Sequence, residues 1–260
     1  MNRIAFEIFN FSITWYGIII ASSVLVGLLV AIKLCKIKGI NPDSPFELLL
    51  WCFPLAIIGA RTYFCMFSGD SYTFLEFIAI WNGGMAIYGG IIGGLIGLII
   101  YSLVRKQNLL ATLDIVAPCL IIGQALGRWG NFANQEVYGL EITDPNFQFF
   151  PFGVYIEKLS EWHYATFFYE SILNVIGFLI LYYLFRKNLK NGIVTSVYLV
   201  FYGTIRFFLE LLRESTEVLY LNNTNIPVSC IVSFAMILIG SGFIIYSYIK
   251  SRKIKELKIE

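Results

Sequence analysis

The chain has 260 residues, of which 58% are hydrophobic, 17% aromatic and only 14% charged, with a mean hydropathy of +0.73. That balance lies outside the range of soluble domains and reads as an integral membrane protein. The net charge of +2 comes without a basic patch, so no nucleic-acid partner is expected, and a single histidine, His163, excludes a multi-histidine metal centre and a metalloprotease.

The first apolar run follows Arg3 and Glu7 and has no small-residue cleavage site, so it reads as a retained span and not as a signal peptide. A span needs roughly 20 apolar residues. Seven segments qualify, approximately 13–32, 46–67, 84–104, 114–131, 167–185, 193–212 and 227–249, which gives an all-α integral membrane protein forming one polytopic domain over 1–260. Basic residues gather in alternate connections: Lys33, Lys36 and Lys38, then Arg105 and Lys106, then Arg186, Lys187 and Lys190, then the tail from Lys250 to Lys258. The other connections hold Asp70, Glu76, Glu136, Glu141, Asp144, Glu157, Glu161, Glu214 and Glu217. By the positive-inside rule the N-terminus lies outside and the C-terminus in the cytoplasm.

Two outer loops are long enough to be structured. In 72–82, Phe74, Phe77, Ile78 and Trp81 fall at helical spacing and fit a short helix in the membrane interface, with a lid as the alternative. The second, 132–166, includes the Pro- and Phe-rich stretch 144–156. In the third span Gly89, Gly93 and Gly97 recur every fourth residue, a small-xxx-small pattern that lets helices approach closely. Cys35, Cys52, Cys65, Cys119 and Cys230 show no C-x-x-C spacing and read as small buried hydrophobes, so neither a metal nor another cofactor is implied.

Outside the loops three arginines remain, Arg61, Arg128 and Arg206. Each lies about 13 to 15 residues along an outward-running span, roughly 20 Å up a core of about 30 Å. Tyr16 and Tyr88, counted down the inward-running spans, fall near the same level, and Tyr202, Arg206 and Glu210 share one face at i, i+4 and i+8. An Arg206–Glu210 ion pair, a snorkelling Arg61 and an aromatic belt would explain these residues singly. Together, with Glu210 the one clear carboxylate inside a span, they leave positive charge that wants an anion. Guanidinium grips phosphate oxygens through paired hydrogen bonds, so the expected anion is a phospholipid headgroup, with Asn131 and Asn134 adding neutral donors.

The segments GRWGNFANQEVYG (Gly127 to Gly139), GGMAIYGGIIGG (Gly83 to Gly94), HYATFFYES (His163 to Ser171) and YGTIRFFLELLRE (Tyr202 to Glu214) closely resemble the bacterial prolipoprotein diacylglyceryl transferases. WYG (Trp15 to Gly17), GAR (Gly59 to Arg61) and DIVAP (Asp114 to Pro118) extend the likeness over nearly the whole chain. The resemblance implies seven spans in the bacterial cytoplasmic membrane. It also implies transfer of the diacylglyceryl group of phosphatidylglycerol to the lipobox cysteine of a prolipoprotein signal peptide, with release of glycerol phosphate. It places the key arginines at Arg128 and Arg206, with Asn131, Glu136, Gly139, Tyr16, Tyr202 and Glu210 in support. Many members carry a histidine, assigned as the base, where this sequence has Tyr88.

A thiol of pKa about 8.5 must lose its proton to attack carbon, and the departing phosphate ester needs its charge stabilised. Arg128 and Arg206 are expected to clamp the phosphate, with Arg61 assisting or pairing with a carboxylate to hold the fold. Glu210 is expected to orient Arg206, and Glu136 to hold the signature's turn through backbone amides. Three sources of thiolate stay open: Tyr88, His163, or the positive field alone. An anion channel would need polar residues at all depths, yet the cytoplasmic halves of these spans are apolar. A retinal protein would need a Schiff-base lysine, which the seventh span lacks. A lipid-binding scaffold without turnover remains the non-enzymatic alternative.

Overall fold

The computed structural model describes residues 3–8, 11–187, 189–213, 220–221 and 226–256. Seven of its helices are long and apolar enough to cross a membrane: α1 (Trp15–Lys38), α2 (Ser44–Phe67), α4 (Ile87–Val104), α5 (Leu109–Asn134), α6 (Thr166–Arg186), α7 (Ile193–Glu210) and α8 (Val228–Glu256). All seven expected spans are present, and apolar side chains cover their outward surfaces as a bilayer requires. Glu214 and Glu217 of the outer charge pattern and Lys258 of the tail lie outside the described residues.

Hydropathy did not foretell two short antiparallel hairpins. One pairs β1 (Ile4–Ile8) with β2 (Phe11–Thr14) just before α1, and the other pairs β3 (Gly153–Ile156) with β4 (Glu161–Tyr164) in the loop before α6. The expected helix in 72–82 is shorter than its pattern: α3 covers Phe74–Ile78, and a single 3₁₀ turn follows at Ile80–Asn82.

Backbone contacts gather the chain into two compact units, Ala31–Leu113 and Met1–Val30 with Asp114–Glu260. In the first, α2 and α4 approach until backbone meets backbone at three glycines. A methyl group at Gly93 would run into the Leu55 carbonyl, one at Gly89 into the Gly59 carbonyl, and one at Gly97 would come within 2.8 Å of the Trp51 carbonyl oxygen. Overpacking of this kind costs about 1–3 kcal/mol, and the rigid backbone on the far side cannot yield. Gly93→Ala is expected to lower the thermal unfolding temperature of the detergent-solubilised protein, whereas Gly94→Ala, whose added methyl meets only the Ala56 side chain at 3.8 Å, is expected to leave it unchanged.

Arg61 is 5% exposed and belongs to this unit. Its Nε donates to the Phe77 carbonyl at 3.0 Å, its Nη1 to Gly83 and Gly84 at 2.7 and 2.8 Å, and its Nη2 to Glu76 at 2.5 Å. The rings of Phe64 and Tyr72 flank the guanidinium carbon, each at 5.6 Å. Arg61 therefore pins the α3 loop onto α2 and does not snorkel; of its two expected roles it takes neither as stated, holding the fold through backbone carbonyls and not a carboxylate. Thr73 caps α3 in a reciprocal capping box with Glu76, and the Thr73 amide and hydroxyl hold the Glu76 carboxyl below the usual carboxylate range.

The second unit is organised around α5, α6, α7 and α8. Gly203 and Gly240 let α7 and α8 touch, since methyl groups there would meet the carbonyls of Ser233 at 2.9 Å and Ser196 at 2.6 Å. At the start of α7, the buried Asp114 carboxylate accepts from the Gly192 and Thr195 amides at 2.7 and 2.8 Å and from the Thr195 hydroxyl at 2.7 Å. An anion on a helix N-terminus is favourable, and here it fixes the height of α7 against α5, hence that of Arg206 against Arg128.

Candidate active site

The polar residues of the second unit meet where α5 ends, α6 begins and α7 ends. Arg128, in the last turns of α5, donates from Nη2 to Glu170 Oε1 at 2.9 Å and from Nη1 to Asn131 Oδ1 at 3.2 Å. Arg206, from α7, donates from Nη1 to the other oxygen of the same carboxylate, Glu170 Oε2, at 3.1 Å, and from Nη2 to Glu210 Oε2 at 2.8 Å. Just past α7, Arg213 Nη1 lies 3.4 Å from Glu210 Oε2. The Glu170 and Glu210 side chains are 3% and 2% exposed, and the three arginines 15–17%.

Sequence reasoning counted one carboxylate partner for these arginines, and the structure corrects that. Glu170 had not been singled out, yet it is the centre of the network. A signal was present: Arg128 lies three residues before the end of its expected span at 131, and Glu170 three residues after the start of the next at 167. Arg213 was also passed over, as a loop residue. Arg128, Glu170, Arg206 and Arg213 line a cleft with Val137, Thr166, Phe167 and Leu209. Among the described residues three guanidinium groups face two carboxylates there, so positive charge is in excess in a largely buried cleft. Each guanidinium carries five N–H donors in a planar fork, and its contacts with Glu170, Asn131 and Glu210 leave others for a ligand.

The signature's asparagines extend the network. Asn131 accepts from Arg128 and passes its own amide to Glu136 Oε1 at 3.1 Å, and Asn134 Nδ2 reaches the same oxygen at 3.4 Å. Glu136 thus holds the turn through side-chain amides and not the backbone amides expected. After Asn134 the chain reverses through Gln135 and Val137, both left-handed with φ of 51° and 59°, and the Thr166 hydroxyl, at the head of α6, donates to the Val137 carbonyl at 2.9 Å. A β-branched residue at positive φ is uncommon and costs conformational energy, which the Thr166 bond helps to offset at this edge of the cleft.

Gly139 sits between two chains. Its amide donates to the Tyr164 carbonyl at 3.0 Å, while the next amide, that of Leu140, donates to the Leu212 carbonyl at 2.8 Å. A methyl at Gly139 would come within 2.7 Å of Tyr164 Cβ and 2.9 Å of the Leu212 oxygen. Gly139→Ala is expected to force apart β4 and the segment bearing Arg213, lowering thermal stability by about 1–3 kcal/mol in a thermal unfolding assay. His163 is 2% exposed, with Nδ1 2.9 Å from the Gly139 carbonyl oxygen and its ring 4.6 Å from that of Tyr138. Its imidazole is turned onto the loop's own backbone.

The Tyr16 ring lies on Gly130, where a methyl would approach within 2.9 Å, and its phenol interacts with Glu136 and Arg128. Tyr202 interacts with Glu170, Arg128 and Arg206 and stacks on Tyr198 at 5.7 Å. The structure thus brings together Arg128, Arg206, Glu210, Asn131, Asn134, Glu136, Tyr16 and Tyr202, with Gly139 and His163 in the adjoining loop. Arg61 and Tyr88 belong to the other unit. Tyr88, half-buried at the start of α4, has its ring 6.5 Å from that of Tyr63.

The family model for prolipoprotein diacylglyceryl transferase matches residues 3–246. The chain belongs to the prolipoprotein diacylglyceryl transferase family. Among its relatives is the phosphatidylglycerol–prolipoprotein diacylglyceryl transferase of Finegoldia magna, 43% identical over 245 residues that cover 92% of this chain and 93% of the relative. The enzyme of the same name from Clostridium botulinum is 42% identical, covering 97% and 99%, and that of Listeria welshimeri is 37% identical, covering 96% and 91%. Family membership spans all of the elements that carry the arginine cluster.

Proposed function

We propose that the protein transfers the diacylglyceryl group of phosphatidylglycerol to the lipobox cysteine thiol of a prolipoprotein, releasing glycerol phosphate. The observation that carries the reading is the buried Glu170 carboxylate binding Arg128 through one oxygen and Arg206 through the other, which aims two guanidinium groups into one cleft. A phosphodiester seated there is bound as an anion. Its charge grows as the bond between the diacylglyceryl carbon and the phosphate ester oxygen breaks, and the pre-set donors stabilise that growth without reorganising. The thiolate sulfur forms the new S–C bond to the same glycerol carbon, and the bonding pair leaves with glycerol phosphate.

The basic residues of the alternate connections support an orientation with the N-terminus outside. The cluster then opens at the outer leaflet of the bacterial cytoplasmic membrane, where lipid arrives laterally and the signal peptide presents its cysteine. Asn131, Asn134, Glu136, Tyr16 and Tyr202 shape the headgroup site, and Glu210 orients Arg206. For the thiol proton the sequence offers Tyr88, as positioner or base, beside His163 and the positive field alone. Tyr88→Phe is expected to lower turnover strongly while Tyr88→His keeps much of it, as read from initial rates. Wild-type rates in the phenylalanine variant would remove Tyr88 from the chemistry.

The test of the function is a mass measurement. Purified protein in detergent, given phosphatidylglycerol and a lipobox peptide, is expected to add one diacylglyceryl mass to the cysteine, and to add none when phosphatidylethanolamine replaces the lipid. Folded protein that binds phosphatidylglycerol yet leaves the peptide unmodified would favour a lipid-binding scaffold.

A further inference from the structure

One helical turn away from the arginine cluster, toward the middle of the spans, lies a second polar layer. Glu170 meets Arg128 on α5 and Arg206 on α7, the Ser171 hydroxyl donates to the Ala125 carbonyl at 2.9 Å, and a methyl at Gly177 would press on Ile121 and on Phe201. These contacts set antiparallel registers in which Asn174, four residues after Glu170 and three before Gly177, is level with Gln124 on α5 and Tyr202 on α7. Asn174 is 0% exposed, and among the described residues neither its Oδ1 nor its Nδ2 has a hydrogen-bond partner. Gln124 Nε2 donates to the Tyr198 hydroxyl at 3.0 Å, while Gln124 Oε1 is likewise buried and unpartnered. Two buried amides at one level thus carry unpartnered polar atoms, in the part of the molecule least able to leave polar groups unsatisfied.

Buried polar groups that protein does not satisfy are satisfied by ordered water, which needs two to four polar partners. We propose that Asn174 and Gln124 hold one buried water molecule beneath the arginine–carboxylate cluster and act through it as positioning residues for Tyr202. The water accepts from Asn174 Nδ2 and donates to Gln124 Oε1, and its second proton is directed to the Tyr202 phenol. Tyr202 in turn hydrogen-bonds with Arg128 and lies in the electrostatic field of Arg206 and Glu170, so the water fixes from below a group that faces the cluster. The site itself rests on geometry alone; its effect on turnover rests on the function proposed above.

Two measurements test it. The first is an experimental structure of the wild-type protein without lipid substrate, at a resolution that shows waters. Density within about 3 Å of both amides supports the site, and a direct bond between the amides, or from Asn174 to a backbone carbonyl, overturns it. The second compares Asn174→Leu, of similar volume but apolar, with Asn174→Ser, which keeps a polar group and room for water. Asn174→Leu is expected to keep its unfolding temperature and its KM for phosphatidylglycerol while kcat falls about tenfold, and Asn174→Ser to stay within about threefold of wild type. A leucine variant with unchanged kcat removes Asn174 as a positioning residue. Water seen in a protein that never modifies a peptide would count against the proposed function and leave the site standing.

Discussion

Glu170→Gln is expected to cost more activity than any other single change to a carboxylate in this protein. The glutamine keeps the shape, but only one of its two terminal atoms can accept a hydrogen bond, and it has no charge to set against two guanidinium groups held 2.9 and 3.1 Å from the carboxylate oxygens. Removing one partner of a buried ion pair leaves the other uncompensated, at a cost of about 3–5 kcal/mol. If most of that falls on the geometry of Arg128 and Arg206, turnover drops on the order of 100- to 1000-fold at 1.36 kcal/mol per decade. Glu170→Asp keeps the charge on a stem one carbon shorter and is expected to fall between the two. Initial rates on folded, monodisperse protein check this, and a glutamine variant with wild-type rates would show that the bridge is a fold device only.

The second large effect is expected from Arg128→Lys. The lysine keeps the positive charge and loses the fork that reaches Glu170 Oε1 and Asn131 Oδ1 from two separate nitrogens. Charge-assisted hydrogen bonds contribute roughly 1.5–3 kcal/mol each, so losing one such bond to the departing phosphate lowers kcat on the order of 10- to 100-fold, and losing the bond to Glu170 loosens Arg206 as well. The paired design therefore predicts strong non-additivity. Arg128→Lys with Arg206→Lys is expected to be little worse than the poorer single variant, measured as kcat/KM for phosphatidylglycerol. Costs that simply add would mean that the two arginines act independently.

Much of this was legible in the sequence because a bilayer imposes strong rules. Seven apolar runs became seven helices, with α1, α5 and α8 each running five to seven residues past one expected end, and Gly89, Gly93 and Gly97 became the contact of α4 with α2. The matched depth of Arg128 and Arg206 followed from rise per residue alone. Depth, however, does not say what a side chain meets. Arg61, at the same expected depth, has its donors on the carbonyls of Glu76, Phe77, Gly83 and Gly84, and no periodicity announces a backbone carbonyl as a partner. Glu170 escaped because a lone carboxylate near a span end looks like a loop residue until the helices on either side are in register. The hairpins escaped because four- and five-residue strands between long apolar helices carry too little alternation to stand out.

The central claim is that the arginine pair on Glu170 binds the phosphate that departs when a thiol takes the diacylglyceryl group. The measurement that tests it most directly is glycerol phosphate release, followed against loss of peptide thiol, in wild-type protein and in Arg128→Ala. The account predicts one glycerol phosphate released per thiol consumed, no release with a peptide whose cysteine is replaced by serine, and neither signal in the alanine variant. Release from phosphatidylglycerol that continues without the peptide thiol, or that survives Arg128→Ala, would contradict it.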